Sequence, residues 1–285
     1  MLTMDPHTVA SEYAELARGS VNGVPLDTCR FSIMHGNGNV IMVVDEARSG
    51  LSEGDINGVL ARELCRPFRS VRVDGVAFVR SSAGPVRMTY FERDGTHSQM
   101  CGNALRCVTR YCHERGYLPD EAVVVTDDGD KWVSTAGGLV RVALGSGREF
   151  RKLTDDCYFV FSGLPHLVVL VDDLAAVDVR TVGAALRHDE RLCRMLHHPE
   201  GLHVDFMQRT PSGIGIRTYE VGVEDETLAC GTGVAGSAFV AHQTWGLPYP
   251  VHVTVPGGEM RVDDGEHGLL ISGSTGHLFH SAERT

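Results

Sequence analysis

The chain has 285 residues, 42% of them hydrophobic, enough to bury one large core or two moderate ones. A formal charge of −11, from 26 basic and 37 acidic residues with no Lys/Arg run, excludes a nucleic-acid footprint and a polybasic membrane patch. No apolar stretch approaches the roughly 18 residues needed to cross a bilayer, and Met1 to Gly23 is polar rather than signal-like, so the reading is a cytoplasmic protein.

Eight cysteines, at 29, 65, 101, 107, 112, 157, 193 and 230, are then expected as free thiols in a reducing compartment. A free cysteine ordinarily packs as a small hydrophobe, so position has to single out any that do chemistry.

Residues 1–28 read as a peripheral N-terminal extension, with a short helix around Thr8–Arg18 and a Gly/Asn/Pro turn before Cys29. From Arg30 onward, short β-branched or alternating runs predict strands at Val40–Asp45, Val71–Arg80, Val123–Thr126, Leu139–Leu144 and Tyr158–Phe161. Later ones follow at Leu167–Val171, His203–Arg209, Ile214–Glu220, Val251–Val255 and Leu269–Ser272. Two helices interrupt this pattern. After Cys101, residues Ala104, Leu105, Val108, Tyr111 and Cys112 share a face, and Gly116 and Pro119 signal the stop. After Cys230, the run from Val234 to Ala241 leaves almost no polar face before Gly246, which predicts a buried helix.

Both helices open on a similar tetrapeptide, Met-Cys-Gly-Asn at 100–103 and Ala-Cys-Gly-Thr at 229–232, which suggests two related halves. The first turn of a helix presents unpaired N–H groups and a partial positive charge, which bind anions and stabilise a thiolate. Glycine after each cysteine lets a ligand approach the backbone. Ordinary helix starts would give the same spacing.

These residues resemble diaminopimelate epimerase and its relatives, the two-cysteine amino-acid racemases that work without pyridoxal phosphate. The resemblance runs through Met34-His-Gly-Asn-Gly-Asn39, Asp94-Gly95, Met100-Cys-Gly-Asn-Ala-Leu-Arg-Cys107, Gly163-Leu-Pro-His166 and Tyr219-Glu-Val-Gly-Val-Glu-Asp-Glu-Thr-Leu-Ala-Cys-Gly-Thr-Gly233. It implies an α/β (α+β) fold of two pseudo-symmetric domains, each a curled mixed sheet or barrel around a central helix, with the active site in the cleft between them. The expected division is 29–152 plus 275–285 for the domain carrying Cys101, and 153–274 for the domain carrying Cys230.

By the same resemblance, one cysteine acts as thiolate base and the other as thiol acid on the opposite face of the substrate α-carbon. Backbone N–H groups at Gly102, Asn103, Gly231 and Thr232 would bind the carboxylate and stabilise developing charge. Glu220 would bind the α-ammonium, His166 and Glu220 would poise the thiols, and Asn39 would orient substrate. His166 also fits a turn cap, Glu220 a solvated strand end, and Asn39 turn geometry. No cofactor and no metal are expected, the partner is a small amino acid, and a homodimer follows from family analogy alone.

Four positions depart from the family pattern where diaminopimelate's second head would be held. Glu92, Leu164 and His203 stand where asparagines are expected, and Val221 where an arginine is expected. Losing an arginine that clamps a carboxylate removes a bidentate charged contact. The expected substrate is therefore another amino acid, either one with a basic side chain such as histidine, arginine, lysine or ornithine or a neutral one. Diaminopimelate epimerase proper (LL to meso) is the alternative, and a non-catalytic amino-acid-binding protein is the alternative of another class.

Two further patterns are set aside. Gly231-Thr-Gly-Val-Ala-Gly236 matches the dinucleotide fingerprint, but no buried parallel strand precedes it. Cys107, Cys112 and His113 lack the spacing of a zinc site on one helix.

Overall fold

A computed structural model describes residues 6–82, 84–145 and 147–281. The described residues divide into two compact units, one of those within 1–140 and 275–281, the other of those within 141–274. Residues 282–285 of the expected first domain lie outside the described residues.

In the first unit the strands Phe31–Gly36 and Asn39–Asp45 form a hairpin whose two-residue turn, Asn37 (φ 47°) and Gly38 (φ 90°), has both centres in the left-handed region. That is the turn whose twist matches the strands. Asn39–Asp45 then pairs in parallel with Gly75–Arg80, which pairs antiparallel with Arg87–Glu92. Arg87–Glu92 continues antiparallel to His97–Ser98 and, by one parallel pair, to Glu121–Thr126, which pairs antiparallel with Gly129–Ser134. Thr275–His280 closes the other side of the hairpin. The helix Gly102–Glu114 packs against five of these strands, and Met42 and Val44 pack in a core cluster with Leu60, Leu64 and Phe68, so Ile41, Met42, Val43 and Val44 are all buried and the strand reads as a continuous apolar run.

The second unit repeats this topology. Cys157–Phe161 and Pro165–Leu170 form the hairpin, His203–Thr210 adds in parallel and Gly213–Glu220 antiparallel. Asp225–Thr227 pairs antiparallel and Val251–Val255 parallel to Gly213–Glu220, and Gly258–Gly265 pairs back onto Val251–Val255. The helix Gly231–Trp245 packs against the strands of this unit. It ends at Gly246 in the left-handed conformation, as the sequence signals.

The helix faces follow the expected pattern. Ala104, Leu105, Val108, Tyr111 and Cys112 are buried, as are Val234, Ala235, Ala238, Val240 and Ala241. Two expectations need correction. Of the expected extension, residues 1–5 lie outside the described residues and residues 6–28 are not peripheral: the helix Pro6–Leu16 places Val9 and Leu16 in the core with Phe31 and Phe68, and the Glu12 carboxylate accepts from the backbone N–H groups of Arg69 and Ser70. The division between units falls after residue 140, not 152. Arg141–Ala143 pairs with Gly268–Gly273 and Arg148–Lys152 with Cys157–Phe161, and these partners belong to the second unit. Among the described residues, no helix is long and apolar enough to cross a membrane.

Candidate active site

Cys101 and Cys230 occupy the same position in the two units. Each is the N-cap of the central helix in extended conformation, and its carbonyl accepts the first intrahelical bond, from Leu105 and Val234 respectively. The next N–H groups, at Gly102 and Asn103 or Gly231 and Thr232, point out of the helix mouth with no intrahelical acceptor.

Around Cys101 the first unit gathers polar groups that the sequence pattern hides. Gly36, at the hairpin turn, approaches the Asn103 backbone so closely that a Cβ there would lie 3.0 Å from the Asn103 carbonyl oxygen. This brings Asn37 against the helix, while Asn39 opens the next strand opposite Gly36. Arg106 is fully buried; its Nη2 donates to Asn37 Oδ1 at 2.8 Å and to Asn103 Oδ1 at 2.7 Å, and its Nη1 to the Gly102 carbonyl at 3.4 Å. Tyr90, also buried, donates to Glu92 Oε2 at 3.3 Å and hydrogen-bonds Cys101. Gly75 leaves the space that the Tyr90 hydroxyl fills. Burial, and the neighbouring Cys101 and Glu92, hold the Tyr90 hydroxyl well above its usual range, so it is a phenol and a donor.

The second unit builds a continuous hydrogen-bonded chain behind Cys230. Thr218 Oγ1 donates to Asp205 Oδ1 at 2.7 Å, and Asp205 Oδ2 lies 2.7 Å from His166 Nδ1. His166 Nε2 lies 2.9 Å from Thr232 Oγ1, which is 3.4 Å from Cys230 Sγ. With Asp205 accepting, Nδ1 carries the ring proton. In the neutral ring Nε2 then accepts from Thr232, whose oxygen is left to accept from the Cys230 thiol. Burial pushes the Cys230 thiol well above its ordinary value, and Glu220 and Asp205 add to this. Glu220 faces Cys230 and Thr227, and burial raises its carboxyl too.

The dinucleotide-like glycines receive a different explanation here. A Cβ at Gly233 would collide with Asp205 Oδ1, and one at Gly236 would lie 2.8 Å from Ser162 Oγ, which donates to the Thr232 carbonyl. The strand just upstream, Asp225–Thr227, is antiparallel, so no nucleotide-binding βαβ unit forms around these glycines.

Of the positions that depart from the family pattern, His203 is buried and stacks on His166 with ring centres 4.8 Å apart. Its Nδ1 accepts from the Val221 N–H at 3.3 Å, which leaves the proton on Nε2. Burial, with His166 and Arg187 nearby, lowers it to about 2, so it is a neutral donor. Leu164 is exposed in the turn between the hairpin strands, and Val221 directly follows Gly213–Glu220. Arg187 is committed to Glu224 and the Glu200 carbonyl. Among the described residues, His166, His203 and Cys230 form a buried group with ligand atoms within 4.8 Å of one another. Both His166 nitrogens and His203 Nδ1 already serve protein partners, so the donor set fits a satisfied hydrogen-bond network better than a metal centre.

The fold is shared with solved structures. A phenazine biosynthesis protein of the PhzF family from Bacillus anthracis superposes with a TM-score of 0.65 at 14% identity, over 88% of this chain and 97% of its own. A probable proline racemase from Agrobacterium radiobacter gives 0.61 at 15% identity, over 90% and 93%. The fold and the sequence matches define a cofactor-independent isomerase of the racemase and epimerase class. The family model described as diaminopimelate epimerase matches residues 31–146 and 158–277, and the chain belongs to that family. Similar relatives include the diaminopimelate epimerases of Archaeoglobus fulgidus, 32% identical over 87% of this chain and 94% of that protein, and of Chlamydia trachomatis, 35% over 81% and 82%.

Proposed function

We propose that this isomerase inverts an amino-acid α-carbon by two-base proton transfer between Cys101 and Cys230. The observation that carries the reading is the equivalence of the two cysteines, each capping the central helix of a unit with the same strand topology. A single base that returned its proton to the same face would restore the starting isomer, so inversion requires two opposed groups. One thiolate takes the α-proton while the other thiol delivers its own to the opposite face, and the two groups end with exchanged roles. N–H groups of Gly102, Asn103, Gly231 and Thr232 stabilise the carboxylate as charge develops at Cα. Glu220 receives the α-ammonium, Asn39 orients the substrate, and the Asp205–His166–Thr232 chain holds the Cys230 proton in place.

The proposed substrate is an amino acid other than diaminopimelate, with a basic side chain. Supporting this, His203 is neutral, Val221 and Leu164 are apolar, Arg187 is already paired, and Glu92 supplies a carboxylate close to Cys101. A distal carboxylate would be desolvated there without a charged partner, which is unfavourable by several kcal/mol. Because the named relatives are diaminopimelate epimerases, LL-diaminopimelate is the necessary comparator. Racemisation assays over a panel of amino acids test the reading. Turnover of histidine, arginine, lysine or ornithine supports it, and efficient turnover of LL-diaminopimelate alone overturns it.

A further inference from the structure

Arg106 is a fully buried guanidinium that forms no ion pair with any described carboxylate. Its hydrogen bonds go to three neutral oxygens, on Asn37, Asn103 and Gly102, and its Nε has no partner. A buried charge without a counter-ion is strongly unfavourable, and proteins retain one only where something compensates it. Two of the three acceptors belong to the residues that directly follow Cys101, so the cation is tied to the first turn of the helix that this thiol caps.

We infer that Arg106 is the counter-cation of Cys101, and that Cys101 rather than Cys230 carries the thiolate in the resting protein. The assignment rests on the proposed two-thiol reaction for its catalytic meaning, though not for its chemistry.

The surroundings of the two thiols differ in charge. Cys101 has Arg106 on its own helix and the N–H groups of the helix mouth. Cys230 has two carboxylates, Glu220 and Asp205, acting on it, and a hydroxyl, Thr232, placed to accept its proton. Titratable groups near Cys101 include Cys107 on the same helix, Glu92 on the Tyr90 strand, and Asp74, which also acts on Tyr90. Cys107 is held neutral by burial, Glu92 receives the Tyr90 hydrogen bond, and Asp74 has Arg72 and Arg93 beside it. Each of these acidic neighbours has a partner of its own, while Arg106 is bonded to the two residues that directly follow Cys101 and serves that thiolate. A proton removed by Cys101 and one donated by Cys230 would then constitute the first turnover.

The test is iodoacetamide alkylation of the full chain from pH 5 to 10, with the rates at Cys101 and Cys230 followed separately by peptide mass spectrometry. Cys101 should react first, with the lower pH midpoint. Arg106→Met should raise the Cys101 midpoint by about one unit or more, a roughly tenfold loss of reactivity at pH below it, and leave Cys230 unmoved. Asn37→Asp, which places a carboxylate against the guanidinium without removing it, should raise the Cys101 midpoint too and keeps the test open should Arg106→Met not fold. A Cys101 midpoint unchanged in the folded variants, or Cys230 reacting first in the parent protein, overturns the inference. Alkylation is read without substrate, so its outcome is independent of whether the protein racemises an amino acid.

Discussion

His166 Nδ1 and Asp205 Oδ2 lie 2.7 Å apart with both side chains fully buried. The carboxylate fixes the ring tautomer, and through it the direction of every hydrogen bond out to Cys230. Asp205→Asn keeps the shape but can present an amide N–H to Nδ1, forcing the ring to flip tautomer. Steady-state kinetics of this variant should show kcat reduced by about 10²- to 10⁴-fold with the helical circular dichroism retained.

Thr232 is the link between that ring and the thiol, with contacts of 2.9 and 3.4 Å. Thr232→Val should lower kcat roughly 10- to 100-fold, the effect of leaving a buried polar partner unsatisfied. Thr232→Ser, which keeps the hydroxyl, should stay within about threefold if the bond rather than the methyl group matters.

His203 provides a stability signature with a defined sign. Its folded value is lowered to about 2 by burial, against an ordinary value of 6.5. Below pH 6.5 the unfolded chain therefore takes up a proton that the folded chain refuses, and this contribution falls by about 1.4 kcal/mol per pH unit as pH drops toward 2. Glu220, raised by burial, acts oppositely: the folded state keeps its proton longer, so stability falls as pH rises through its folded value. Urea unfolding of the parent and His203→Asn between pH 4 and 7 separates the two. The stability of the parent relative to His203→Asn should fall as pH drops below 6.5, by up to about 1.4 kcal/mol per pH unit; a pH-independent difference would show that His203 titrates alike in both states.

Glu92 is the proposed partner for a cationic substrate end. Glu92→Gln should raise KM for a basic amino acid by about tenfold or more while changing neutral amino acids little, since one lost charge contact of roughly 1.4 kcal/mol is tenfold in affinity. Equal effects on both substrate classes would place Glu92 outside the side-chain pocket.

The parts of the molecule with strong local signals were readable from the chain itself. Both central helices follow from apolar spacing and glycine stops, and Val251–Val255 alternates in burial as its sequence does. The groups that depend on tertiary placement were not. Arg106, on an otherwise amphipathic helix, looks like a solvated residue, and only the packing of five strands around that helix buries it. Asp205 carried a usable signal, an acidic residue between Val204 and Phe206 in an apolar strand, but its partner His166 lies 39 positions away. The N-terminal helix was misjudged because its polar composition conceals two core residues, Val9 and Leu16, whose contacts come from beyond residue 28.

The central claim is that Cys101 and Cys230 both carry the substrate α-proton. Its most direct test is exchange of the α-hydrogen in D2O, followed by NMR or mass spectrometry with the parent protein, Cys101→Ala and Cys230→Ala. The account predicts that the parent incorporates solvent deuterium with inversion, and that each variant loses racemisation by about 10³-fold or more. Parent-level exchange and inversion surviving in both variants would contradict it.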